Sequence, residues 1–357
     1  MVGFKNPLPA LQESNLFYNL LKIKNMLDYD PLLHPLELPI QKLLVQCVTD
    51  RPLFFPPRQG STPGTSLAGA YGTALWLAVC SCLKTEAGSC NKSSREEPRC
   101  QAPNECFVPW LYKPYSTVHR RNFARPVLLR SAELENMEPL DAFTLEVTLW
   151  GRQAISALEA VKETIKKMGE LGLSTEGMLV HFMVSQVQEG PILTLAEQLQ
   201  VQPPATSILL EFQTPFLHQE KDKEGKRYFY TEGPLPIVNI LGNIAYNLVA
   251  WDIEDRKVGE QIDGKMRHTL ARDARDVAWA SGKKLSMVRS HLSPVKMGER
   301  YSRGNQKMMS LQGFVGLVEL SGDLASAWPW LLALALAGGG QKRAMGFGAV
   351  RMWLNSF

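Results

Sequence analysis

GGGQKRAMGFG, at residues 338–348, is the stretch on which the interpretation of this sequence depends. It separates an apolar, helix-like segment at residues 328–337 from a strand-like end at residues 349–354. Its five glycines let the backbone adopt positive φ and approach a ligand closely, and Lys342 and Arg343 place positive charge at the tip of the predicted loop. The stretch therefore predicts a loop that contacts nucleic-acid phosphates. A flexible linker is the alternative explanation of a glycine-rich run.

This loop does not fit the pattern of a nucleoside triphosphate-binding loop. That pattern is G-x-x-x-x-G-K-[ST], placed after a strand and before a helix. Here Ala344 and Met345 follow the basic pair, and the order of elements is helix, loop, strand. The sequence therefore predicts phosphate contact of another kind.

The composition is that of a globular chain with two domains. The 357 residues are 45% hydrophobic and 21% charged, and one domain per about 150 residues gives two. The net charge of +4 is small, so contacts with an acidic partner are expected from local basic patches. Residues 1–24 alternate polar and apolar types, and the longest apolar run falls short of the about 20 residues that cross a bilayer. We expect a cytoplasmic protein without membrane contact.

The hydrophobic pattern in the first half of the chain predicts the element order β-α-β-β-α-β. Apolar residues at helical spacing, such as Leu158, Val161 and Ile165, give the second helix one buried face. Strands are expected at residues 38–47, 126–130, 143–150 and 178–187, and helices at residues 67–83 and 154–171. This order is that of the ferredoxin-like unit, an antiparallel sheet with two helices on one face.

The same order returns after a Gln- and Pro-containing linker at residues 197–204. Strands are expected at residues 207–212, 284–290, 312–320 and 349–354, and helices at residues 236–251 and 325–337. We predict an α+β fold of two tandem ferredoxin-like (RRM-like) domains with antiparallel sheets. The N-terminal domain, at residues 1–196, carries a cysteine-containing insertion at about residues 80–125, and the C-terminal domain, at residues 205–357, carries a charged insertion at residues 252–282 and the glycine-rich loop.

Five of the six cysteines lie within residues 80–106, in a segment rich in Ser, Glu and Pro. In a reducing compartment, clustered thiolates bind zinc more readily than they form disulfides. The spacing lacks paired CxxC motifs, so free thiols in a poorly ordered insertion are the alternative.

The order of motifs resembles the repeat-associated (RAMP) RNA-binding superfamily of CRISPR systems, and within it the CRISPR repeat-processing endoribonucleases with spaced cysteines after the first helix. The motifs are SLAGAYGTAL at residues 66–75, CFVPWLY at 106–112, NFARP at 122–126, TPFL at 214–217, RYSR at 300–303 with Gln306, GFVG at 313–316 and the glycine-rich loop. In that family about seven residues separate the first two cysteines and about five the last two. Cys82 with Cys90 and Cys100 with Cys106 match this spacing, although the gap between the pairs is longer, and the resemblance implies a structural zinc on these four residues.

The resemblance also implies a function. Such enzymes bind CRISPR repeat RNA and cut it once per repeat, giving mature crRNA, without a metal cofactor in catalysis. The ribose 2′-OH attacks the adjacent phosphate and leaves a 2′,3′-cyclic phosphate and a 5′-OH. CRISPR effector or adaptation proteins are the expected protein partners.

Metal-independent cleavage needs side chains that transfer protons and stabilise negative charge. Many family members carry a catalytic histidine between the first strand and the first helix, and residues 51–75 contain none. His119, in the basic segment SerThrValHisArgArg at residues 116–121, is the predicted general acid. Tyr71 and Arg58 form an alternative centre beside the first helix. An ordinary exposed histidine is the other explanation of His119.

RNA contacts are predicted in two basic segments of the C-terminal domain. Guanidinium and ammonium groups suit phosphate binding, and an exposed tyrosine can stack on a base, whereas core packing is favoured for Phe347. The predicted RNA-binding residues are Arg300, Tyr301, Arg303, Lys307, Gly340, Lys342, Arg343, Gly346 and Gly348.

Two other functions fit the same sequence. A non-catalytic guide-RNA-binding subunit of an effector complex is supported by the missing histidine near the first helix. A metal-dependent nuclease using Asp273 and Asp276 is the weaker alternative, because an Arg-Asp-x-Arg-Asp helix usually forms solvated i, i+3 or i, i+4 ion pairs.

Overall fold

The structure is a computed structural model that describes residues 30–55, 63–80, 107–112, 115–116, 121–122, 125–199 and 206–354, apart from residues 137, 176, 222–223, 226, 232, 257–263, 303–306, 342 and 344–345. In the first half, the strands are β1 (Pro39–Leu53), β2 (Tyr115–Ser116), β3 (Arg121–Asn122), β4 (Val127–Arg130), β5 (Leu140–Trp150), β6 (Leu173–Thr175), β7 (Met178–Val180), β8 (Phe182–Glu189) and β9 (Leu193–Thr194). The helices there are α1 (Pro63–Val79), α2 (Phe107–Tyr112), α3 (Arg152–Ser156), α4 (Leu158–Leu171) and α5 (Leu195–Gln198).

The second half contains the strands β10 (Ser207–Phe216), β11 (His218–Lys221), β12 (Arg227–Tyr230), β13 (Leu285–Ser302), β14 (Lys307–Gly322) and β15 (Val350–Leu354). Its helices are α6 (Ile237–Asp255), α7 (Gly264–Gly282) and α8 (Leu324–Ala337). Among the helices in the described part of the chain, none combines the length and hydrophobicity that crossing a membrane requires.

Each half builds an antiparallel ferredoxin-like sheet, as the sequence predicts. The order is β4-β5-β1-β8 in the first sheet and β13-β14-β10-β15 in the second. In both, the first strand of the unit is central and pairs with the third and the fourth. Side chains alternate along β1: Leu43, Val45 and Cys47 are buried and Leu44 and Val48 are exposed, because successive residues of a strand point to opposite faces. The predicted α+β fold class is confirmed.

Helix α7 lies within the charged insertion expected at residues 252–282, and it has a buried face that the sequence analysis did not predict. It packs against α6 and also contacts α8. Its buried face is formed by Leu270, Ala274 and Ala278, which recur every four residues. Alanine contributes little hydrophobicity but permits close helix packing. The apolar pattern was therefore weak although the helix has a buried face.

The two halves share one apolar core. Leu128 and Trp150, from the first sheet, belong to the same buried cluster as helices α6 and α8 of the second half. The ring of Trp150 stacks on that of Trp251 in α6, with centroids 5.1 Å apart. The position of the first sheet is thereby fixed relative to α6.

Asp255, at the end of α6, makes the polar part of this contact. Its buried carboxylate accepts hydrogen bonds from the backbone N–H of Gln153 at 2.9 Å and from Nη1 of Arg152 at 3.3 Å. Gly151 has φ of +86°, and a Cβ there would lie 2.5 Å from Oδ1 of Asp255. Glycine is therefore required for the carboxylate to reach the start of α3.

Asp255→Asn is expected to lower the free energy of unfolding by about 2 kcal/mol, because hydrogen bonds to a charged acceptor contribute about 1.5–3 kcal/mol. The measurement is denaturant unfolding. Asp276→Asn is the matched control, since Asp276 is exposed and pairs with Arg275 at the surface of α7. That change should stay within about 0.5 kcal/mol. Equal effects of the two variants would show that Asp255 does not secure the contact between the halves.

Candidate nucleic-acid interface

The glycine-rich loop at residues 338–348 connects α8 with β15, and its described residues have a defined conformation. Gly338, Gly340, Gly346 and Gly348 have positive φ, at 66°, 72°, 76° and 75°. The N–H of Gly339 donates to the carbonyl of Gly348 at 2.8 Å, and a Cβ on Gly348 would lie 1.9 Å from the carbonyl oxygen of Gly339. A flexible linker does not require such contacts, so the glycines serve a fixed turn.

The end of β10 holds this loop in place. The hydroxyl of Thr214 donates to the carbonyl of Gly346 and accepts from the N–H of Ala349, both at 2.9 Å. The N–H of Gly348 donates to the carbonyl of Pro215 at 3.0 Å, and that of Gln341 to the carbonyl of Leu217 at 2.7 Å. The TPFL motif is thus the binding partner of the glycine-rich loop. Sequence reasoning found both motifs but not their contact.

A small apolar cluster joins the loop to strand β14. Phe347 packs with Leu217 and Leu311, and Val295 of β13 lies against them. Phe347 is buried, which confirms the prediction that it packs in the interior. The loop and the β13–β14 hairpin are therefore held as one unit.

The second predicted basic segment lies at the end of that hairpin. In the backbone register of the hairpin, Arg300 lies opposite Met309, and Ser302 lies opposite Lys307. Both pairs are nearer to the hairpin turn than Phe314, the residue at which the pairing of β14 with β10 begins. Tyr301 lies between them on β13, and Arg303 lies outside the described residues. The backbone positions of Arg300, Tyr301 and Lys307 share one end of the hairpin, and their contact with RNA stays a prediction.

The loop also touches the N-terminal half. A Cβ on Gly346 would lie 3.4 Å from Cα of Gly64, in the first turn of α1, and 3.4 Å from the carbonyl oxygen of Leu129 in β4. Leu128, Arg130 and Arg343 contribute to a small pocket between β4 and the loop. Arg130 pairs there with Glu146 at 2.9 Å. The two halves therefore meet at the glycine-rich loop, next to the start of α1.

Arg343 differs from the expectation that both basic residues of the loop lie at its exposed tip. Only 7% of Arg343 is exposed, and its guanidinium lies 4.7 Å from the ring centroid of Trp251. Nη1 of Arg343 reaches the carbonyl of Gly338 at 3.5 Å. Burial lowers the pKa of Arg343 to about 10, so the group remains charged at neutral pH. A desolvated cation–π contact of about 2 kcal/mol offsets part of the cost of burial. Lys342 lies outside the described residues.

The predicted catalytic residues are only partly described. Tyr71 is 2% exposed and lies in the core with Leu67 and Leu75. Its hydroxyl has no hydrogen-bond partner among the described residues, and burial raises the pKa of the phenol above its usual range, against a smaller lowering by Arg125. His119 and Arg58 lie outside the described residues. The burial of Tyr71 weighs against direct contact with a ribose, and the role of all three stays a prediction.

The zinc prediction also falls outside this part of the chain. The structure does not describe the four predicted ligands, Cys82, Cys90, Cys100 and Cys106. Among the residues that it does describe, no group of three or more His, Cys, Asp or Glu side chains could hold a metal. Of the other two thiols, both buried, Cys47 has its pKa raised to about 12 by burial and by the charge of Glu133. Asp276 pairs with the adjacent Arg275 at 3.0 Å and not with a described residue three or four positions away.

Sequence reasoning missed one histidine beside the loop. His218 follows Leu217, whose carbonyl anchors Gln341, and it is buried. Its Nε2 lies 2.6 Å from Oε1 of Glu220, which also accepts from the side chain of Asn239 in α6 at 2.7 Å. The His-x-Glu spacing on one strand was the available signal. This network ties strand β11 to α6 below the loop.

Thr214→Val is expected to lower the free energy of unfolding by about 2 kcal/mol or more, because two buried backbone groups lose their partner at about 1–3 kcal/mol each. Thr214→Ser is the matched control, since it keeps the hydroxyl and should retain most of the stability. Denaturant unfolding of both variants measures the difference. If valine is tolerated as well as serine, the hydroxyl does not anchor the loop.

Two family models match separate parts of the chain. Residues 210–350 match the family model described as CRISPR-associated endoribonuclease Cas6, and residues 38–205 match one described as an N-terminal domain. No curated protein matches the sequence.

Several solved structures superpose on the chain. Thermus thermophilus Cas6, in a product complex, superposes with a TM-score of 0.50 at 13% identity, over 88% of this chain and 100% of that one. A second Cas6 product complex gives 0.47 at 17% identity, over 88% and 99%. The product of a Cas6-related gene from Pyrococcus furiosus gives 0.44 at 11% identity, over 89% and 100%. The first of these agrees with the two ferredoxin-like sheets described above. Residues 210–350, which contain the second sheet and the glycine-rich loop, are therefore similar to the CRISPR-associated endoribonuclease Cas6 family.

Proposed function

We propose that the protein binds CRISPR repeat RNA and cuts it without a metal ion, releasing guide RNAs. The observation that carries this proposal is the contact of the glycine-rich loop, in the half of the chain that matches the Cas6 family model, with the first turn of α1 in the other half. A bound RNA strand at this junction would meet both domains. The junction is also where the family places its catalytic histidine in many members, which makes it the expected site of cleavage.

The chemistry is an internal transfer at phosphorus. The 2′-oxygen forms a bond to the adjacent phosphorus, the bond from phosphorus to the 5′-oxygen breaks, and the products are a 2′,3′-cyclic phosphate and a 5′-OH. One proton leaves the 2′-OH and one is gained by the 5′-oxygen, so no water or redox partner is consumed. His119 is proposed to protonate the 5′-oxygen, and Arg58 to stabilise the charge on the phosphorane.

RNA binding is assigned to the loop and the hairpin end. Because Arg343 is buried against Trp251, the phosphate contact in the loop falls to Lys342. Arg300, Arg303 and Lys307 would extend the basic surface along the hairpin, and Tyr301 would stack on a base. The positive-φ glycines give the loop that carries Lys342 its fixed turn.

A guide-RNA-binding subunit without cleavage activity is the second candidate. It is favoured by the burial of Tyr71 and by the lack of a histidine in residues 51–75. Incubation of the cognate repeat with the protein in EDTA, followed by a denaturing gel, separates the two functions. Cleavage should stop when the ribose 5′ to the cut carries a 2′-hydrogen, and the new 3′ end should resist phosphatase until acid opens the cyclic phosphate. Binding without any cut would support the second candidate.

His119→Ala is expected to reduce the single-turnover cleavage rate in EDTA by about 10²-fold with RNA affinity nearly unchanged, the range for loss of a general acid or base. The control is His181→Ala, which should cut at the wild-type rate. His181 is an exposed histidine of the same domain, and its Nδ1 lies 2.8 Å from the carbonyl oxygen of Glu170. If His119→Ala is as fast as wild type and Tyr71→Phe is slow, catalysis involves the first helix instead.

Lys342→Ala is expected to weaken repeat binding and to reduce the slope of log K against log salt by about 0.7, the value for one phosphate contact on single-stranded nucleic acid. Lys166→Ala is the control, because Lys166 pairs with Glu163 on the outer face of α4. Affinity is measured at several salt concentrations. An unchanged slope in Lys342→Ala would remove Lys342 from the RNA surface.

A further inference from the structure

The ring of Trp251 receives contacts from both halves of the chain. Trp150, at the end of β5, stacks on it with centroids 5.1 Å apart and planes at 26°, and the guanidinium of Arg343 lies 4.7 Å from its centroid. Trp150 and Trp251 are 1% and 2% exposed. The stack is therefore shielded from solvent, and the Trp251 ring does not present a surface to RNA.

Arg343 connects this stack to both ends of the glycine-rich loop. Its carbonyl accepts a hydrogen bond from the N–H of Gly346 at 2.9 Å, and its Nη1 reaches the carbonyl of Gly338. Gly346 is the loop residue that packs on the first turn of α1. A displacement of Arg343 would therefore disturb both the start of the loop, which its side chain contacts, and the part that faces the N-terminal half, which its backbone contacts.

Helix α6 connects the same stack to the N-terminal half. Asp255 follows Trp251 by four residues, so both lie on one face of α6, and Asp255 accepts the N–H of Gln153 at 2.9 Å. The N-terminal half is thus fixed to α6 by Asp255 and by the Trp150 stack, and α6 is fixed to the loop by Arg343. An arginine suits this position because its planar cation stacks on an aromatic ring, which the ammonium of lysine does less well.

We infer that Trp251 and Arg343 are positioning residues, and that the Trp150–Trp251–Arg343 stack sets the glycine-rich loop against α1 in the arrangement that RNA cleavage requires. Arg343 then acts through the loop and not as a phosphate ligand. The inference rests on the proposed function and adds to it which residues couple the two domains.

The test compares Arg343→Gln and Trp251→Leu with the conservative variants Arg343→Lys and Trp251→Phe. Both disruptive changes should lower the single-turnover cleavage rate by about 10-fold or more with repeat affinity within about threefold, because loss of positioning acts on the reacting geometry. The salt slope of binding should not change. Trp251→Phe should recover most of the rate, and the double variant should be no slower than the slower single one, since the two groups act as one unit.

Two results would overturn the inference. A salt slope reduced by about 0.7 in Arg343→Gln would show that its guanidinium touches a phosphate. Cleavage at the wild-type rate in both disruptive variants would show that the stack does not position the loop. These results differ from failure of the proposed function, in which the wild-type protein itself does not cut the repeat.

A measurement without RNA tests the inference even if the wild-type protein does not cut the repeat. It also identifies variants that fold poorly. Trypsin cleaves after Lys342, and release of the loop should speed this cut by about fivefold or more in Arg343→Gln and Trp251→Leu, because local opening governs proteolysis of a folded chain. Thermal unfolding of Trp251→Leu and Arg343→Gln shows whether the global fold is retained. An unchanged rate of tryptic cleavage in folded variants would show that the stack does not hold the loop.

Discussion

The hydroxyl of Thr214 is the contact on which the arrangement of the candidate site depends. It satisfies a carbonyl of Gly346 and an N–H of Ala349, two buried backbone groups on either side of the turn into β15. Buried backbone groups require such partners, so the hydroxyl determines where the loop leaves the sheet. Gly346 then meets the first turn of α1, and Phe347 meets Leu217 and Leu311. One side chain on the central strand thereby fixes the loop relative to the hairpin and to the other domain.

The joint between the domains has an apolar and a polar part, and each limits a different motion. Stacking of Trp150 on Trp251 buries large apolar surfaces but tolerates some sliding of the rings. The carboxylate of Asp255 defines direction more sharply, because it accepts from the backbone of Gln153 and leaves no space for a side chain at Gly151. Together they explain why two units that each have their own sheet share one core.

The fold could be predicted from the sequence where the hydrophobic pattern has one clear period. Alternation along β1 and the apolar face of α4 with Val161 and Ile165 are such cases, and both sheets follow the predicted order. The buried face of helix α7 could not be predicted in this way, because alanine gives it little contrast with the surrounding charged residues. The bond from Thr214 to the loop joins residues more than 130 positions apart, and no local pattern encodes it. The burial of Arg343 depends on Trp251, which lies 92 positions earlier in the sequence.

Buried and exposed cations would have different roles in the proposed function. Arg343 is enclosed by Trp251 and Arg130 is paired with Glu146, so these guanidinium groups act on their neighbours in the protein. Contacts of exposed cations with phosphates release counterions and weaken with salt, whereas buried contacts are screened much less. A chain with a net charge of +4 has only a modest global field, so the RNA affinity that we propose would depend on a few exposed basic residues. The geometry at the junction of the glycine-rich loop and α1 depends instead on groups that solvent does not reach. In the proposed function, affinity for RNA and the geometry of cleavage would therefore be set by different residues and could change independently.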